Sequence, residues 1–152
     1  YLNLNLMKSI QSKDLNLNNK KILIRLDLNV PLNGTAIIDT SRIDKVIPTL
    51  QYLLKSKAKI IILSHIGRPK GKFVNELSLK PVCDELEKKL NQKISLINHS
   101  IKKIKIESFF CEKKNIAMLE NLRFFKEEEN DDMIFAKNLA NLGDIYVNEA
   151  FS

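Results

Sequence analysis

The chain of 152 residues contains only two cysteines and two histidines. Cys83 and Cys111 stand far apart and form no metal or redox spacing. That sets aside a disulfide framework and fits reduced thiols in a cytosolic protein. With only His65 and His99 present, a histidine-rich metal site is unexpected and no metal ligand is assigned. No apolar run approaches the roughly 18 residues that cross a bilayer, so no membrane span is expected. The opening residues Tyr1 to Leu6 lack the basic segment and long apolar core of a secretory signal. Neither Gly-x-x-x-x-Gly-Lys-Ser/Thr nor Gly-x-Gly-x-x-Gly occurs, so these residues hold no recognised cradle for nucleotide phosphates.

What is present suits one domain, or a piece of a larger one: 44% hydrophobic and 28% charged residues. The net charge is +7 and the isoelectric point near 9.4. Such a balance admits nucleic-acid binding. The lysines are spread along the chain, however, and the aromatic residues do not interleave with them as a base-stacking platform requires. A solvated lysine surface is the simpler account, and a basic field also suits a small polyanion. Met7 reads as the natural start, with residues 1–6 as a leader of upstream or cloning origin. The last residues, Glu149 to Ser152, directly follow an apolar segment, and both ends are expected to be those of a fragment.

Strand and helix patterns alternate, which predicts an α/β fold: a parallel sheet with helices on both faces, in three layers. Residues 21–26 and 59–63 read as strands, 36–38 as a short extension, 94–97 as a further strand, and 116–119 and 144–147 as two more. Ile43, Val46, Ile47, Leu50, Leu53 and Leu54 form one stripe of a helix over 41–57. Ser41 and Asp44 fit a capping box there, and Pro48 is expected to kink or shorten the helix. Ser78 opens a second helix with Leu79, Val82, Cys83, Leu86 and Leu90 on its apolar face. The acidic run 127–132 precedes a third helix, over 132–142, that Gly143 stops. Residues 101–114 show no clear pattern.

Three apolar runs each end in a polar cluster rich in arginine. Ile22 to Ile24 leads to Arg25, Asp27 and Asn29; Ile60 to Leu63 leads to His65, Gly67 and Arg68; Ile116 to Leu119 leads to Glu120 and Arg123. If the runs are parallel strands, the clusters gather at one sheet edge, where ligands of open α/β sheets bind. Arginines converging there point to an anionic, phosphorylated ligand. Arg25, Asp27 and Asn29 share one face of an extended chain. Asp27 can accept from a hydroxyl and Asn29 can donate and accept, which suits a hydroxy acid. The alternative for Arg25 and Asp27 is a buried ion pair that fixes the strand end. Gly67 allows backbone to approach a ligand closely. Glu120 reads as a structural partner for a nearby arginine. Arg42 lies in a first helical turn, where a cation opposes the helix dipole, and such a rule-breaker is a functional candidate.

In order along the chain, these residues resemble one family. Arg25-Leu26-Asp27-Leu28-Asn29-Val30-Pro31-Leu32, Asp39-Thr40-Ser41-Arg42-Ile43 with Ile47-Pro48-Thr49, and Ser64-His65-Ile66-Gly67-Arg68-Pro69-Lys70-Gly71 are similar to motifs of the N-terminal domain of phosphoglycerate kinases. Leu79-Lys80-Pro81-Val82, Leu119-Glu120-Asn121-Leu122-Arg123-Phe124 and Tyr146-Val147-Asn148-Glu149-Ala150-Phe151 follow in the same order. The resemblance runs from Met7 to Ser152 and does not rely on residues 101–114.

The resemblance implies a Rossmann-like, partial N-terminal domain (residues 7–152) of a two-domain, hinge-bending kinase. That enzyme moves a phosphoryl group between 1,3-bisphosphoglycerate and ADP, giving 3-phosphoglycerate and ATP, in the cytoplasm and as a monomer. Mg2+ with ADP or ATP would bind the C-terminal domain, which is absent here, so the fragment alone is expected to bind no cofactor and to be inactive. The resemblance assigns Asp27 and Asn29 to the glycerate. It assigns His65, Arg68 and Arg123 to the non-transferred phosphate, with Gly67 supporting. Arg42 becomes the catalytic residue at the carboxyl end, facing the group in flight, and Arg25 a supporting one. A further phosphate-binding arginine of the family lies beyond Ser152. Two alternatives carry other expectations: a non-catalytic domain for a phosphorylated metabolite, and a basic nucleic-acid-binding domain.

Overall fold

Isoleucine-rich runs bounded by charge form the central strands, because each must be buried on two faces at once. The computed structural model describes residues 3–4, 16–98, 104–126 and 133–149. The strands are β1 (Asn3–Leu4), β2 (Lys21–Leu26), β3 (Leu32–Asn33), β4 (Ala36–Ile37), β5 (Lys59–Leu63), β6 (Ile94–Ile97), β7 (Ile116–Leu119) and β8 (Ile145–Glu149). The helices are α1 (Ser41–Lys55), α2 (Lys80–Leu90) and α3 (Met133–Ala140), with 3-10 turns at Asn75–Leu77, Ile106–Phe109 and Leu122–Phe124.

Six strands make one parallel sheet in the order β1-β8-β2-β5-β7-β6. Side chains alternate between its two faces. Ile22, Ile24, Leu26, Ile60 and Ile62 pack with the α1 and α2 stripe of Ile43, Leu50, Leu53, Val82 and Leu86. Leu23, Ile61, Leu63, Ala117 and Leu119 pack on the other face with Phe135 and Leu139 of α3 and with Leu142. Helices therefore cover both faces, and the three-layer expectation holds. The chain steps from β2 through α1 to β5 on one side, and from β7 through α3 to β8 on the other. The carboxyl end of β2 thus sits where the winding reverses, the usual ligand crevice of such sheets.

Local details differ from expectation. Thr40, not Ser41, precedes α1, and its hydroxyl donates to Asp44 Oδ2 at 3.0 Å; Ser41 instead donates N–H to Asp39 Oδ1 at 2.8 Å. Pro48 lies inside α1 without ending it. An interior proline costs about 3 kcal/mol in a helix, and the apolar stripe packed on the sheet outweighs it. The helix stops at Lys55 rather than 57, where Lys57 turns left-handed (φ 60°). Residues 36–37 pair antiparallel with 32–33 in a hairpin of their own, apart from the main sheet. The third helix is shorter than expected, and the last strand starts at Ile145 and reaches Glu149. Gly143 lies close against β2, where a Cβ would come within 2.9 Å of Leu23 Cβ. The unreadable stretch supplies Ile106 to the second core and Glu107, whose Oε1 lies 2.8 Å from Lys21 Nζ. The acidic run 127–132 lies outside the described residues, as do residues 150–152 and, of residues 1–6, all but Asn3 and Leu4. Those two pair with Tyr146 and Val147.

Cys83 is buried and Cys111 exposed, and neither is in a disulfide. Burial pushes the Cys83 thiol up to about 12, so little thiolate exists near neutral pH. Native protein treated with iodoacetamide at pH 8 should gain a label at Cys111 and none at Cys83, both being labelled after unfolding; mass spectrometry reads the count.

Candidate functional site

The carboxyl ends of β2, β5 and β7 bear the three polar clusters, and short-range sequence pattern accounts for their placement: β5 and β7 end in apolar residues and turn polar directly after them, while β2 already carries Arg25 as its penultimate residue and continues into Asp27. The register sets them side by side, with Arg25 opposite Leu63 and Ile62 opposite Met118. Past β2 the alternation persists, since Leu28 and Val30 remain in the first core with Leu26. Asp27 and Asn29 are consequently held half-buried at the rim.

Side chains then tie the clusters together. Ser64, fully buried after β5, donates its hydroxyl to Leu26 O at 2.7 Å and accepts Leu28 N–H at 3.1 Å. Its own carbonyl accepts Leu122 N–H at 3.0 Å. Asn29 Oδ1 accepts Gly67 N–H at 3.2 Å, so the first cluster also braces the second. Arg123 Nη1 donates to Gly67 O at 3.1 Å and its carbonyl accepts Gly71 N–H at 3.0 Å, which joins the third cluster to the same turn. His65 and Arg123 are half-buried and Arg68 is exposed.

Arg42 leaves the first turn of α1 and folds back to the β2 end. Its Nη1 donates to Asp27 Oδ1 at 3.0 Å and to Asn29 O at 2.8 Å. A carboxylate and a carbonyl thus compensate the cation that the helix dipole disfavours. The side chains are 49% and 26% exposed, a setting in which an ion pair contributes at most about 1 kcal/mol. Two bonds engage Nη1 alone; a guanidinium also presents donors on Nε and Nη2. Asp27 therefore pairs with Arg42, while Arg25 lies half-buried one register step from the end of β2.

Glu120 is 4% exposed. Among the described residues its partners are not an arginine, as expected from sequence, but the Ser78 hydroxyl at 2.7 Å, Leu79 N–H at 2.7 Å and Asn121 N–H at 2.8 Å. Asn121, fully buried, accepts N–H bonds from Ile66 (3.4 Å) and Arg123 (3.0 Å) and donates to Ile66 O (2.8 Å) and Leu77 O (2.9 Å). Sequence reasoning assigns Ser64 and Asn121 no role. A signal exists for Ser64 all the same: it directly follows the apolar run of β5, where a buried polar group has to be bonded. At the end of β8, burial raises the Glu149 carboxyl above its ordinary pKa, partly opposed by Thr49 Oγ1 donating at 3.5 Å.

Gly67 has a left-handed φ of 62°, and a Cβ there would stand 2.6 Å from Leu77 Cδ2. Steric need at this turn thus comes from packing against Leu77 as well as from any approach of a ligand. Two open surface depressions, one by Ala136, Gly143 and Asp144 and one by Glu87, Lys93 and Asn115, lie toward the amino ends of the strands. Neither contains an arginine or histidine; the first is lined by Lys137 beside Asp144, the second by Lys88, Lys93 and Lys113 beside Glu87 and Glu112. Among the described residues no group of three or more His, Cys, Asp or Glu could hold a metal ion, and no helix is long and apolar enough to cross a membrane.

The family model for phosphoglycerate kinase matches residues 12–152. Phosphoglycerate kinase of Moorella thermoacetica is 44% identical over 146 residues, which are 95% of this chain and 37% of that protein. That of Wolbachia pipientis wMel is 49% identical over 145 residues, 95% of this chain and 36% of that protein. The structure of phosphoglycerate kinase from Coxiella burnetii superposes with a TM-score of 0.79 at 43% identity, covering 90% of this chain and 34% of that one. The chain thus spans little more than a third of the length of these relatives.

Replacing Gly67 by alanine should lower stability by about 1–2 kcal/mol from the left-handed backbone alone. Urea unfolding checks this, and adding Leu77→Ala should relieve the clash without recovering the backbone part.

Proposed function

The chain belongs to the phosphoglycerate kinase family, and from that premise and the geometry of its strand ends we propose that residues 7–152 form the phosphoglycerate-binding domain of such an enzyme. The reaction is phosphoryl transfer between the acyl phosphate of 1,3-bisphosphoglycerate and ADP. The observation that carries the reading is the bonded rim. Ser64, Asn29, Asn121 and Arg123 hold three separate loops in one arrangement, with Arg42 folded onto it. Several cations and few candidate bases suit this chemistry, since phosphoryl transfer needs alignment and neutralised charge more than proton abstraction.

In this reading Asp27 accepts from the glycerate hydroxyl, and Asn29 contacts the same part of the substrate through its side-chain amide. His65, Arg68 and Arg123 hold the resting phosphate, the arginines by paired N–H donors. Arg42, through Nε and Nη2, meets the carboxyl end and the charge that develops on the moving group. Its weak pair with Asp27 keeps it oriented before substrate arrives. Arg25 and Gly67 support the rim. As the family resemblance implies, Mg2+ and the nucleotide would bind the part of such kinases that these residues do not match. We place the reaction in the cytoplasm, with the enzyme a monomer, and the free thiols fit a reducing compartment.

In the whole protein, Arg68→Ala should weaken 3-phosphoglycerate binding by about 10- to 100-fold, the worth of a hydrogen bond to a charged group. Arg42→Ala should lower kcat by about 10²–10³. Calorimetry and a coupled assay check the pair. Unchanged turnover in Arg42→Ala would remove its catalytic role, and salt-sensitive binding of mixed nucleic acid without phosphoglycerate binding would favour the nucleic-acid reading.

A further inference from the structure

Asn121 uses every hydrogen-bonding position of its amide. Oδ1 takes two N–H groups and Nδ2 gives its two hydrogens to two carbonyls. The four partners belong to three different segments: Ile66 to the loop after β5, Leu77 to the 3-10 turn before α2, and Arg123 to the turn after β7. Ile66 is bonded twice, at N–H and at C=O, so the peptide groups on both sides of its Cα are held. Those groups lie between His65 and Gly67, immediately before Arg68. Bonding to Arg123 N–H fixes the backbone of the other arginine directly. Glu120 in turn anchors the Asn121 backbone by accepting its N–H and ties it to Ser78 and Leu79.

We propose that Asn121 is a positioning residue: it sets the relative placement of the His65–Arg68 loop and Arg123, and thereby the affinity of the rim for the phosphate of phosphoglycerate. The proposal rests on the phosphate-site reading above. Orientation, not mere bulk, is what the amide supplies. An aspartate of the same shape would keep the two acceptor bonds and turn an oxygen toward Ile66 O and Leu77 O, replacing two attractions by two repulsions. The loop would move while the arginines themselves stayed intact.

The test uses the whole protein carrying Asn121→Asp or the milder Asn121→Ser, beside Ser78→Ala and Arg68→Ala. Both Asn121 variants should raise KM for 3-phosphoglycerate, by about tenfold or more for Asp and less for Ser, with KM for ATP within about twofold of the parent. Ser78→Ala loosens Glu120 but leaves all four amide bonds, and should lower the melting temperature without moving either KM. A purely structural role for Asn121 predicts a lower melting temperature and fewer active molecules, hence lower apparent kcat at unchanged KM. That result in both Asn121 variants overturns the proposal. Should Arg68→Ala also leave KM for 3-phosphoglycerate unchanged, the phosphate-site reading falls; should it raise KM while the Asn121 variants do not, only the positioning role falls.

Discussion

Loops at the carboxyl edge of a parallel sheet lose the ladder that satisfied their backbone, and the fully bonded amide of Asn121 replaces it at both ends of the loop after β5 and in the turn after β7. A buried amide with four partners, in a site of low dielectric, holds geometry strongly because any displacement leaves a polar group unpaired. Ser64 does the same between the ends of β2 and β7, and Asn29 closes the remaining gap to Gly67. The charged residues of the rim inherit their positions from these neutral ones. Arginine and histidine carry much of the proposed chemistry; serine and asparagine decide where they stand.

The sheet beneath supplies the rigidity. Strands whose isoleucines are buried on both faces cannot slip by one residue without exposing a whole apolar row. Truncating a single leucine or isoleucine in such a core costs about 2–5 kcal/mol. Because the register is so constrained, polar residues that begin immediately after the last apolar one are delivered to a common edge. Helices on opposite faces then put the reversal of winding beside β2, at the crevice proposed for the glycerate.

Much of this is legible in the amino-acid order alone. The central strands stand out as short apolar runs with abrupt polar ends, and the α1 stripe shows despite Pro48, whose local penalty the buried face outweighs. Arg42 is visible as a cation at the wrong end of a helix, though not the fact that Asp27 is its partner. Hidden from such a reading are bonds between residues 38 to 56 positions apart, such as Asn29 to Gly67 and Arg123 to Gly67. Local pattern carries no trace of such distances. Glu120 misleads for the same reason: a carboxylate near arginines suggests an ion pair, whereas here backbone N–H groups and a hydroxyl saturate it. Gly67 is expected from its turn to admit a ligand, and its left-handed backbone beside Leu77 gives it a steric reason as well.

A preformed rim is the central claim, and a crystal structure of the whole protein with 3-phosphoglycerate tests it most directly. The phosphate should be bonded by His65, Arg68 and Arg123, with the four Asn121 hydrogen bonds unchanged from the ligand-free state. Phosphate density elsewhere, or loops that reach the ligand only by breaking the Asn121 bonds, would contradict it.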